Sequence, residues 1–311
     1  MNEFEPKISI VIPTCNRPRL LSRAIQSVLN QTFSDFEVII IDDGLKERAD
    51  NVIEKINDNR IIYIQNKTNK GGSATRNIGI KKAQSSWIAF LDDDDEWKPE
   101  KLQEQYKVIR DFGDKIGFIF CGAEFFDQQN NNTKIKKYGA DEKIKNYYKQ
   151  YISLDLKVNT SVVVIRKNIL EKVGYFDEDL PSNQETELMM RVTKICEGFC
   201  VNKVLVKVNF LEGEHVGGNI DRRIKGKELV LEKHWNELKK KPKILASYYY
   251  VIGDLYRAKK DFILAKNYYK KSWQKDRTKL KSLLLIVLLQ NVLIYNIINK
   301  IKSNLMDLKL K

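Results

Sequence analysis

The amino-acid sequence predicts an α/β fold, with a mostly parallel sheet flanked by helices, followed by an all-helical C-terminal extension. In the first 120 residues, short apolar runs rich in β-branched residues alternate with longer segments of helical periodicity, which is the pattern of βαβ units. From Ile220 onward, the patterned segments are helical. Hydrophobic residues make up 42% of the 311 residues, which is enough to bury a sizeable core.

The apolar runs that end in polar or turn-forming residues are predicted as strands. They are Ile8–Ile12, Phe36–Ile41, Ile61–Gln65, Trp87–Leu91, Ile116–Cys121, Val158–Ile165 and Val201–Leu211. Apolar stripes predict helices that begin near Pro18 and span Pro99–Phe112 and Glu185–Glu197, and Asn16 is placed to cap the first of them. The polar segment of residues 123–157 is predicted as an exposed hairpin tip or a loop.

The net charge of +14 lies almost entirely near the C terminus. Residues 1–225 carry 35 Lys and Arg against 34 Asp and Glu, whereas residues 226–311 carry 20 against 7. We therefore predict a domain over residues 1–225 and a basic helical extension over 226–311. Within the extension, Ser247–Gln274 has the spacing of one tetratricopeptide-like helix pair, and a helical hairpin packed on the main domain fits it equally well.

Cysteine usage and the N-terminal segment predict a cytoplasmic protein. The four cysteines, Cys15, Cys121, Cys196 and Cys200, are too few and too scattered for a disulfide framework, and they make a poor zinc site. Residues 1–7 are polar, without the apolar segment of a secretion signal.

Acidic clusters follow two of the predicted strands, where ligands bind in open α/β sheets. Asp42 and Asp43 end one strand, and the run Asp92–Asp95 ends another. Four consecutive carboxylates repel one another, and a divalent cation relieves that repulsion. A solvated acidic loop is the alternative.

A glycine-rich segment, Asn69–Gly79, lies between these clusters, follows a strand and opens a helix. Its glycines would let backbone N–H groups approach a phosphate, and Arg76 would add positive charge. The segment matches neither the P-loop nor the G-x-G-x-x-G pattern, so a tight turn explains it equally well.

Taken in order, these motifs resemble those of the family 2 glycosyltransferases, which have the GT-A fold. The resemblance covers about residues 7–225. It rests on the segments Ile8–Arg17, Gln31–Gly44, Gly71–Gly79, Phe90–Trp97, Gly174–Glu178 and Gln184–Arg191.

The resemblance implies a nucleotide-sugar donor site and a metal site. The implied donor-binding residues are Pro13, Thr14, Asn16, Asp43, Arg76 and Asp93. Asp43 would accept a hydrogen bond from the uracil of a UDP-type donor, and Asp93 would lie near the ribose. Asp92 and Asp94 would be the D-x-D carboxylates that bind Mn²⁺ or Mg²⁺, although the four-Asp run permits a one-residue shift that includes Asp95. His215 is a third candidate metal ligand, or a solvated loop residue.

Glu185 matches the family's catalytic base, which is more often Asp. The helical pattern supports this position independently, because Glu185 shares a stripe with Leu188 and Met189 and should face the protein body. Glu187 lies about 200° away around the helix, where it should be exposed and should pair with Arg191. A carboxylate that only offsets the helix dipole is the alternative for Glu185.

The resemblance therefore implies a metal-dependent, inverting glycosyltransferase. It would move a sugar from a nucleotide diphosphate donor to a glycan or lipid-linked acceptor hydroxyl in bacterial capsule, O-antigen or other surface glycan synthesis. A nucleotide-sugar-binding protein with little turnover is one alternative, which the Glu at the base position would allow. A nucleic-acid-binding protein is the other, but no defined RNA-binding motif supports it, so we expect no nucleic-acid partner.

The last apolar segment, Ser282–Ile298, predicts contact with a membrane surface. Its 17 residues reach only about 25 Å as a helix, short of a roughly 30 Å hydrocarbon core. Lysines flank both ends, which favours a helix lying in the interface at the inner face of the cell membrane. A buried helix that covers the hairpin or a dimer seam is the alternative.

Overall fold

The computed structural model describes residues 5–127, 132–138, 142–210 and 219–290. The chain divides into two compact units. The first comprises Met1–Leu180 and Gln184–Glu214, and the second comprises Pro181–Asn183 and His215–Lys311.

A mixed sheet forms the centre of the first unit. Its strands are β1 (Ile8–Thr14), β2 (Phe36–Asp42), β3 (Ile61–Gln65), β4 (Trp87–Phe90), β5 (Glu96–Trp97), β6 (Phe118–Asp127), β7 (Asn132–Lys136), β8 (Val163–Arg166) and β9 (Gly198–Phe210). Within the described residues the strand order is β3-β2-β1-β4-β8-β6-β9-β5, and β7 pairs with β6. The first four strands in this order are mutually parallel, whereas β8, β5 and β7 pair antiparallel with their neighbours. The predicted α/β class is confirmed.

Helices flank this sheet. They are α1 (Pro18–Leu29), α2 (Asp50–Ile56), α3 (Gly72–Lys82), α4 (Lys101–Phe112), α5 (Tyr148–Ile152), α6 (Lys167–Val173) and α7 (Gln184–Ile195), with 3₁₀ turns at Gly113–Lys115 and Thr160–Val162. Nearly every residue of β1, β2 and β4 is buried, as expected for parallel strands covered on both faces. Helix α3 approaches β1 closely at Gly79, where an added Cβ would lie 2.4 Å from Cγ1 of Val11.

Three local predictions are wrong in detail. The run Val158–Ile165 is extended only from Val163, because Asn159 accepts a hydrogen bond from the backbone of Ser161 and starts a 3₁₀ turn. Asn16 does not cap α1, since its own backbone is left-handed, at φ 53°, and its side chain bonds elsewhere. The predicted hairpin is supported on both sides of its tip by the antiparallel pairing of β6 with β7, whereas residues 128–131 lie outside the description. The rest of the segment predicted as an exposed tip or loop is not all exposed, because Tyr147 packs on Phe120, and Tyr151 and Ile152 of α5 are buried.

The described part of the second unit is helical. Its helices are α8 (Ile220–Lys233), α9 (Trp235–Leu238), α10 (Pro242–Ala258), α11 (Phe262–Lys275) and α12 (Leu280–Leu288). Helices α10 and α11 form a hairpin in which Gly253 lies against the ring of Tyr269, and Ile286 and Leu289 pack into the same core. No helix in this or any other described part of the chain is long and apolar enough to cross a membrane. The predicted segment Ser282–Ile298 is described only as far as residue 290.

Candidate active site

The predicted motifs meet at the carboxyl-terminal edge of the parallel strands. Thr14 ends β1 and Cys15–Arg17 follow it, Asp43 and Gly44 follow β2, and Asp92–Asp95 follow β4. These strands are neighbours in one parallel sheet, so the three loops share one edge.

The acidic run alternates between exposed and buried side chains. The side chains of Asp92 and Asp94 are 24% and 14% exposed, whereas those of Asp93 and Asp95 are 1% and 2% exposed. The Asp93 carboxylate accepts a 2.7 Å hydrogen bond from Thr14 Oγ1, and the Asp95 carboxylate accepts a 2.6 Å bond from Ser161 Oγ. Asp92 and Asp94 are therefore the members of the run whose oxygens remain accessible to a ligand.

Burial also changes the ionisation of the two inward carboxyls. Desolvation raises the pKa of Asp93 to about 7, although the nearby Arg17 guanidinium opposes that shift. Burial raises the pKa of Asp95 well above its ordinary value, and the charges of Asp92 and Asp94 act in the same direction. Burial therefore disfavours the charged form of both inward carboxyls.

Two arginines pair with the accessible carboxylates. Arg76 on α3 binds Asp92 Oδ1 through Nη2 at 2.5 Å, and its Nη1 lies 3.5 Å from the side-chain oxygen of Gln184. Arg17 binds Asp93 Oδ1 at 2.8 Å and Asp94 Oδ2 at 3.1 Å. The acidic run is therefore neutralised from both sides.

Asp43 shapes the glycine-rich segment. Its carboxylate accepts hydrogen bonds from the backbone N–H groups of Lys70 and Gly71 and from the side chain of Asn66, at 2.8 to 3.0 Å. The sequence did not predict this structural role. Asp43 as a uracil ligand stays a prediction.

Asn16 connects the loops after β1 and β2. Its Oδ1 accepts hydrogen bonds from the backbone N–H groups of Lys46 and Glu47, at 2.9 and 3.1 Å. Gly44 permits this close approach, because an added Cβ would lie 2.6 Å from the Asn16 nitrogen. Asn16 and the neighbouring Pro13 and Thr14 therefore border the edge where a nucleotide was predicted.

Glu185 lies in the first turn of α7 and lines a small, mainly apolar cavity. The other lining residues are Phe90, Val158, Thr160, Val163, Ile165, Phe176, Leu188 and Met189. Thr160 Oγ1 lies 3.5 Å from Asp92 Oδ2, so the cavity adjoins the acidic run. Glu185 as the catalytic base stays a prediction.

The prediction that Glu187 is exposed is wrong. Glu187 is 2% exposed and forms a bidentate ion pair with Arg191. Only the predicted pairing is therefore confirmed. The reason is that the turn after α6 covers this face of α7, and Arg191 also donates to the carbonyl oxygens of Val173 and Tyr175. More than one face of α7 is therefore covered by other segments of the chain.

The residues fit a divalent cation that is bound together with a phosphorylated donor. Within the described ranges, no group of three or more His, Cys, Asp or Glu side chains could hold a metal ion alone. Asp92 and Asp94 nevertheless offer accessible oxygens, and Mg²⁺ in proteins is commonly held by one or two carboxylates plus substrate phosphates. His215, the third predicted ligand, lies outside the described residues.

Three residues that organise the site were not predicted from the sequence. Arg17 was detectable, because it follows Asn16 directly and has the charge that the acidic run needs. Ser161 and Asn77 gave no signal, since their partners are distant in sequence. Asn77 both donates to and accepts from the backbone of Phe176 at 2.9 Å, and the Phe176 ring packs edge-on against Phe90.

Comparison with known proteins gives a family match and several relatives. The model of glycosyl transferase family 2 matches residues 9–174. The putative colanic acid biosynthesis glycosyl transferase WcaA of Escherichia coli is 48% identical over 194 residues, covering 60% of this chain and 66% of that protein. An uncharacterized glycosyltransferase of Methanocaldococcus jannaschii is 30% identical over 243 residues, covering 76% of this chain and 81% of that protein.

One further relative and one solved structure are also similar to this chain. An uncharacterized glycosyltransferase of Rickettsia typhi is 26% identical, covering 66% of this chain; the match spans 64% of that protein, just under two thirds of its length. The crystal structure of S. aureus TarS 1–349 in complex with UDP-GlcNAc superposes with a TM-score of 0.64 at 19% identity, covering 86% of this chain and 81% of that one. At this identity, the likeness shows a shared fold.

Proposed function

Because the chain belongs to glycosyltransferase family 2 and has the GT-A fold, we propose that it transfers one sugar from a UDP-type donor to an acceptor hydroxyl with inversion at the anomeric carbon. The reaction is proposed to depend on Mn²⁺ or Mg²⁺. The product is proposed to be a bacterial surface polysaccharide, which the identity to the colanic acid protein supports.

One contact carries this proposal. Arg76 binds Asp92 with one guanidinium nitrogen and reaches Gln184, the neighbour of Glu185, with the other. It therefore links the acidic run, where the leaving diphosphate would lie, to the first turn of α7, which bears the proposed base. Charge neutralisation and proton removal are the two operations that an in-line displacement requires.

In the proposed reaction, Glu185 acts on the acceptor, and Arg76 with the acidic run acts on the leaving diphosphate. Glu185 removes the proton from the acceptor hydroxyl while the acceptor oxygen bonds to the anomeric carbon and the bond to the diphosphate breaks. Arg76 donates hydrogen bonds to the leaving diphosphate. Asp92 and Asp94 would hold the divalent cation, which when bound offsets the charge on that group.

The nucleotide would be held by the loops after β1 and β2. Pro13, Thr14 and Asn16 line one side, and Asp43 faces the uracil from the other. Asp93 would lie near the ribose. Their meeting at one sheet edge supports this arrangement.

Replacing Glu185 tests the assignment of the base. Glu185→Gln keeps the shape and removes the basic group, so kcat should fall by about 10²- to 10⁴-fold. UDP affinity should stay within a small factor. Glu185→Asp, which restores a carboxylate, should retain more activity than Glu185→Gln.

The matched control is Glu197→Gln, because Glu197 is exposed just beyond the end of α7. Glu187 is unsuitable as a control, since it is buried and ion-paired. Equal losses for Glu185→Gln and Glu197→Gln would contradict the assignment.

Chelation and the variants Asp92→Asn and Asp94→Asn test the metal. Each variant should lower turnover by about 10²-fold or more, because neutralising a leaving diphosphate is worth several kcal/mol. UDP-GlcNAc is a sensible first donor, since it is the ligand in the similar TarS complex. Transfer that is unchanged in EDTA and in both variants would contradict metal dependence. UDP binding without hydrolysis or transfer of any donor would favour a binding protein.

We further propose that the basic extension holds the enzyme at the inner face of the cell membrane, near a lipid-linked acceptor. One face of α12 is exposed, with Leu280 at 67%, Leu284 at 59% and Val287 at 56%, while Ile286 and Leu289 pack inward. Residues 219–290 carry 19 Lys and Arg against 7 Asp and Glu. Exposed apolar side chains among basic residues favour an anionic lipid surface.

Point variants test this better than deletion of α12, which would uncover the core that Ile286 and Leu289 complete. Leu284→Asp with Val287→Asp should abolish sedimentation with phosphatidylserine vesicles at low salt. Ile135→Asp, at an equally exposed position on β7 in the first unit, is the control. Unaltered vesicle binding by the double variant, or no binding by the parent, would contradict the proposal.

A further inference from the structure

The proposed function gives no role to Arg17, a charged residue at the edge of this site. Arg17 follows β1, and its side chain is 38% exposed. One guanidinium nitrogen binds the buried Asp93, and the other binds the accessible Asp94. The contact to the buried Asp93, the inner contact, therefore holds the side chain in place. The contact to Asp94, the outer contact, is partly exposed to solvent.

The outer contact competes directly with a cation. Asp94 Oδ2, which accepts from Arg17 Nη1 at 3.1 Å, belongs to one of the two carboxylates proposed to hold Mn²⁺ or Mg²⁺. A divalent ion on Asp94 would repel a guanidinium at that distance. The contact to Asp93 does not face the same competition, because Asp93 is 1% exposed and is also held by Thr14.

We propose that Arg17 is the counter-ion of Asp94 in the unloaded enzyme and a ligand of the donor diphosphate in the loaded one. With Asp94 holding the cation, the Nη2 contact to Asp93 would keep the Arg17 guanidinium in place, and its Nη1 group would be released from Asp94. A guanidinium has five N–H donors in a planar fork that suits phosphate oxygens. This inference rests on the proposed function of the site.

The proposal predicts opposite effects on two binding equilibria. In Arg17→Gln, Mn²⁺ alone should bind about two- to fivefold more tightly, because a partly exposed competing ion pair is gone. UDP in saturating Mn²⁺ should bind about ten- to a hundredfold more weakly, because a charge-assisted hydrogen bond to phosphate is lost. Arg17→Lys, which keeps the charge but not the fork, should weaken UDP binding less.

Both affinities can be measured by titration calorimetry, with electron paramagnetic resonance of free Mn²⁺ as a second readout. Arg19→Gln is the matched control, since it removes the same charge at an exposed position two residues along and should change neither affinity. Thermal unfolding of each variant shows whether a loss of affinity comes from misfolding. If Arg17→Gln does not fold, the affinities of Arg17→Lys for Mn²⁺ and UDP test the proposal instead.

The possible outcomes distinguish failure of the Arg17 inference from failure of the proposed transferase function. Opposite changes in the affinities for Mn²⁺ and for UDP support the Arg17 inference, since a merely structural role would weaken both. If the parent binds Mn²⁺ and UDP but Arg17→Gln changes neither, or shifts both in the same direction, the inference is overturned and the proposed function stands. If the parent binds neither probe, both are overturned.

Discussion

The ion pair between Glu187 and Arg191 allows a quantitative prediction about the stability of the first unit. Glu187 is 2% exposed, and both of its oxygens accept from Arg191, at 2.6 to 3.0 Å. Arg191 also donates to the carbonyl oxygens of Val173 and Tyr175, so it fastens α7 to the turn after α6. Glu187→Gln removes the charge from this junction without changing its shape.

The expected loss is about 2 kcal/mol in the free energy of unfolding. Removing one partner of a fully buried ion pair costs roughly 3–5 kcal/mol. Here the Arg191 side chain is 23% exposed and keeps two carbonyl acceptors, so its charge stays partly compensated. The amide side chain of the variant would also retain one oxygen as an acceptor.

Urea unfolding followed by tryptophan fluorescence measures this loss. Trp87 and Trp97 are buried in the first unit, so a background with Trp235→Phe and Trp273→Phe limits the signal to that unit. At an m-value of about 2–3 kcal/mol/M, the midpoint should fall by roughly 1 M.

The controls identify the cause of the loss. Glu171→Gln, at an exposed position on α6, should stay within about 0.5 kcal/mol of the parent. In a double-mutant cycle with Arg191→Met, the two losses should not add, because each removes the same contact. A loss below about 0.5 kcal/mol for Glu187→Gln, or full additivity, would refute the assigned ion pair.

Three further substitutions can be judged by the same urea titration. Asp42→Asn should cost about 1–3 kcal/mol, because the buried carboxylate accepts from two backbone N–H groups and from the Tyr63 hydroxyl; an unchanged midpoint would contradict this. Gly79→Ala should cost about 1–3 kcal/mol through overlap with Val11, and Val11→Ala in the same chain should recover part of it. Burial lowers the pKa of Lys101 to about 8 from its ordinary 10.5, so the unfolded chain binds more protons between these pH values. The stability of the parent relative to Lys101→Met should therefore rise by up to about 3 kcal/mol from pH 8 to 10.5, and parallel pH profiles would refute the burial of a charged lysine.

The parallel part of the fold was predictable because its signals are local. Strands β1 and β2 are buried and mainly apolar, and β3 is mainly apolar and half-buried. The predicted bounds of β3 agree with the structure at both ends. The turn at Asn159 marks the limit of this reasoning, since a side-chain bond to Ser161 replaces the first part of an apolar run with a 3₁₀ turn.

The positions of the acidic motifs were also determined by the sequence, because parallel strands carry their carboxyl ends to one edge. The sequence did not determine which carboxylates of the run Asp92–Asp95 are accessible. The sequence permitted Asp92 with Asp94, or a shift by one residue. The shift is disfavoured because Asp93 and Asp95 are buried, and their carboxylates accept hydrogen bonds from Thr14 and Ser161, which are distant in sequence.

For the two glutamates of α7, the sequence likewise determined one property and the tertiary structure another. The 3.6-residue period determined that Glu185 and Glu187 point in different directions and that Glu187 can reach Arg191. Only the tertiary structure decided that Glu187 is buried, because the turn after α6 folds back over that face and supplies carbonyl oxygens to Arg191. Periodicity reports the direction in which a side chain points, whereas its burial depends on which segment, distant in sequence, packs against it.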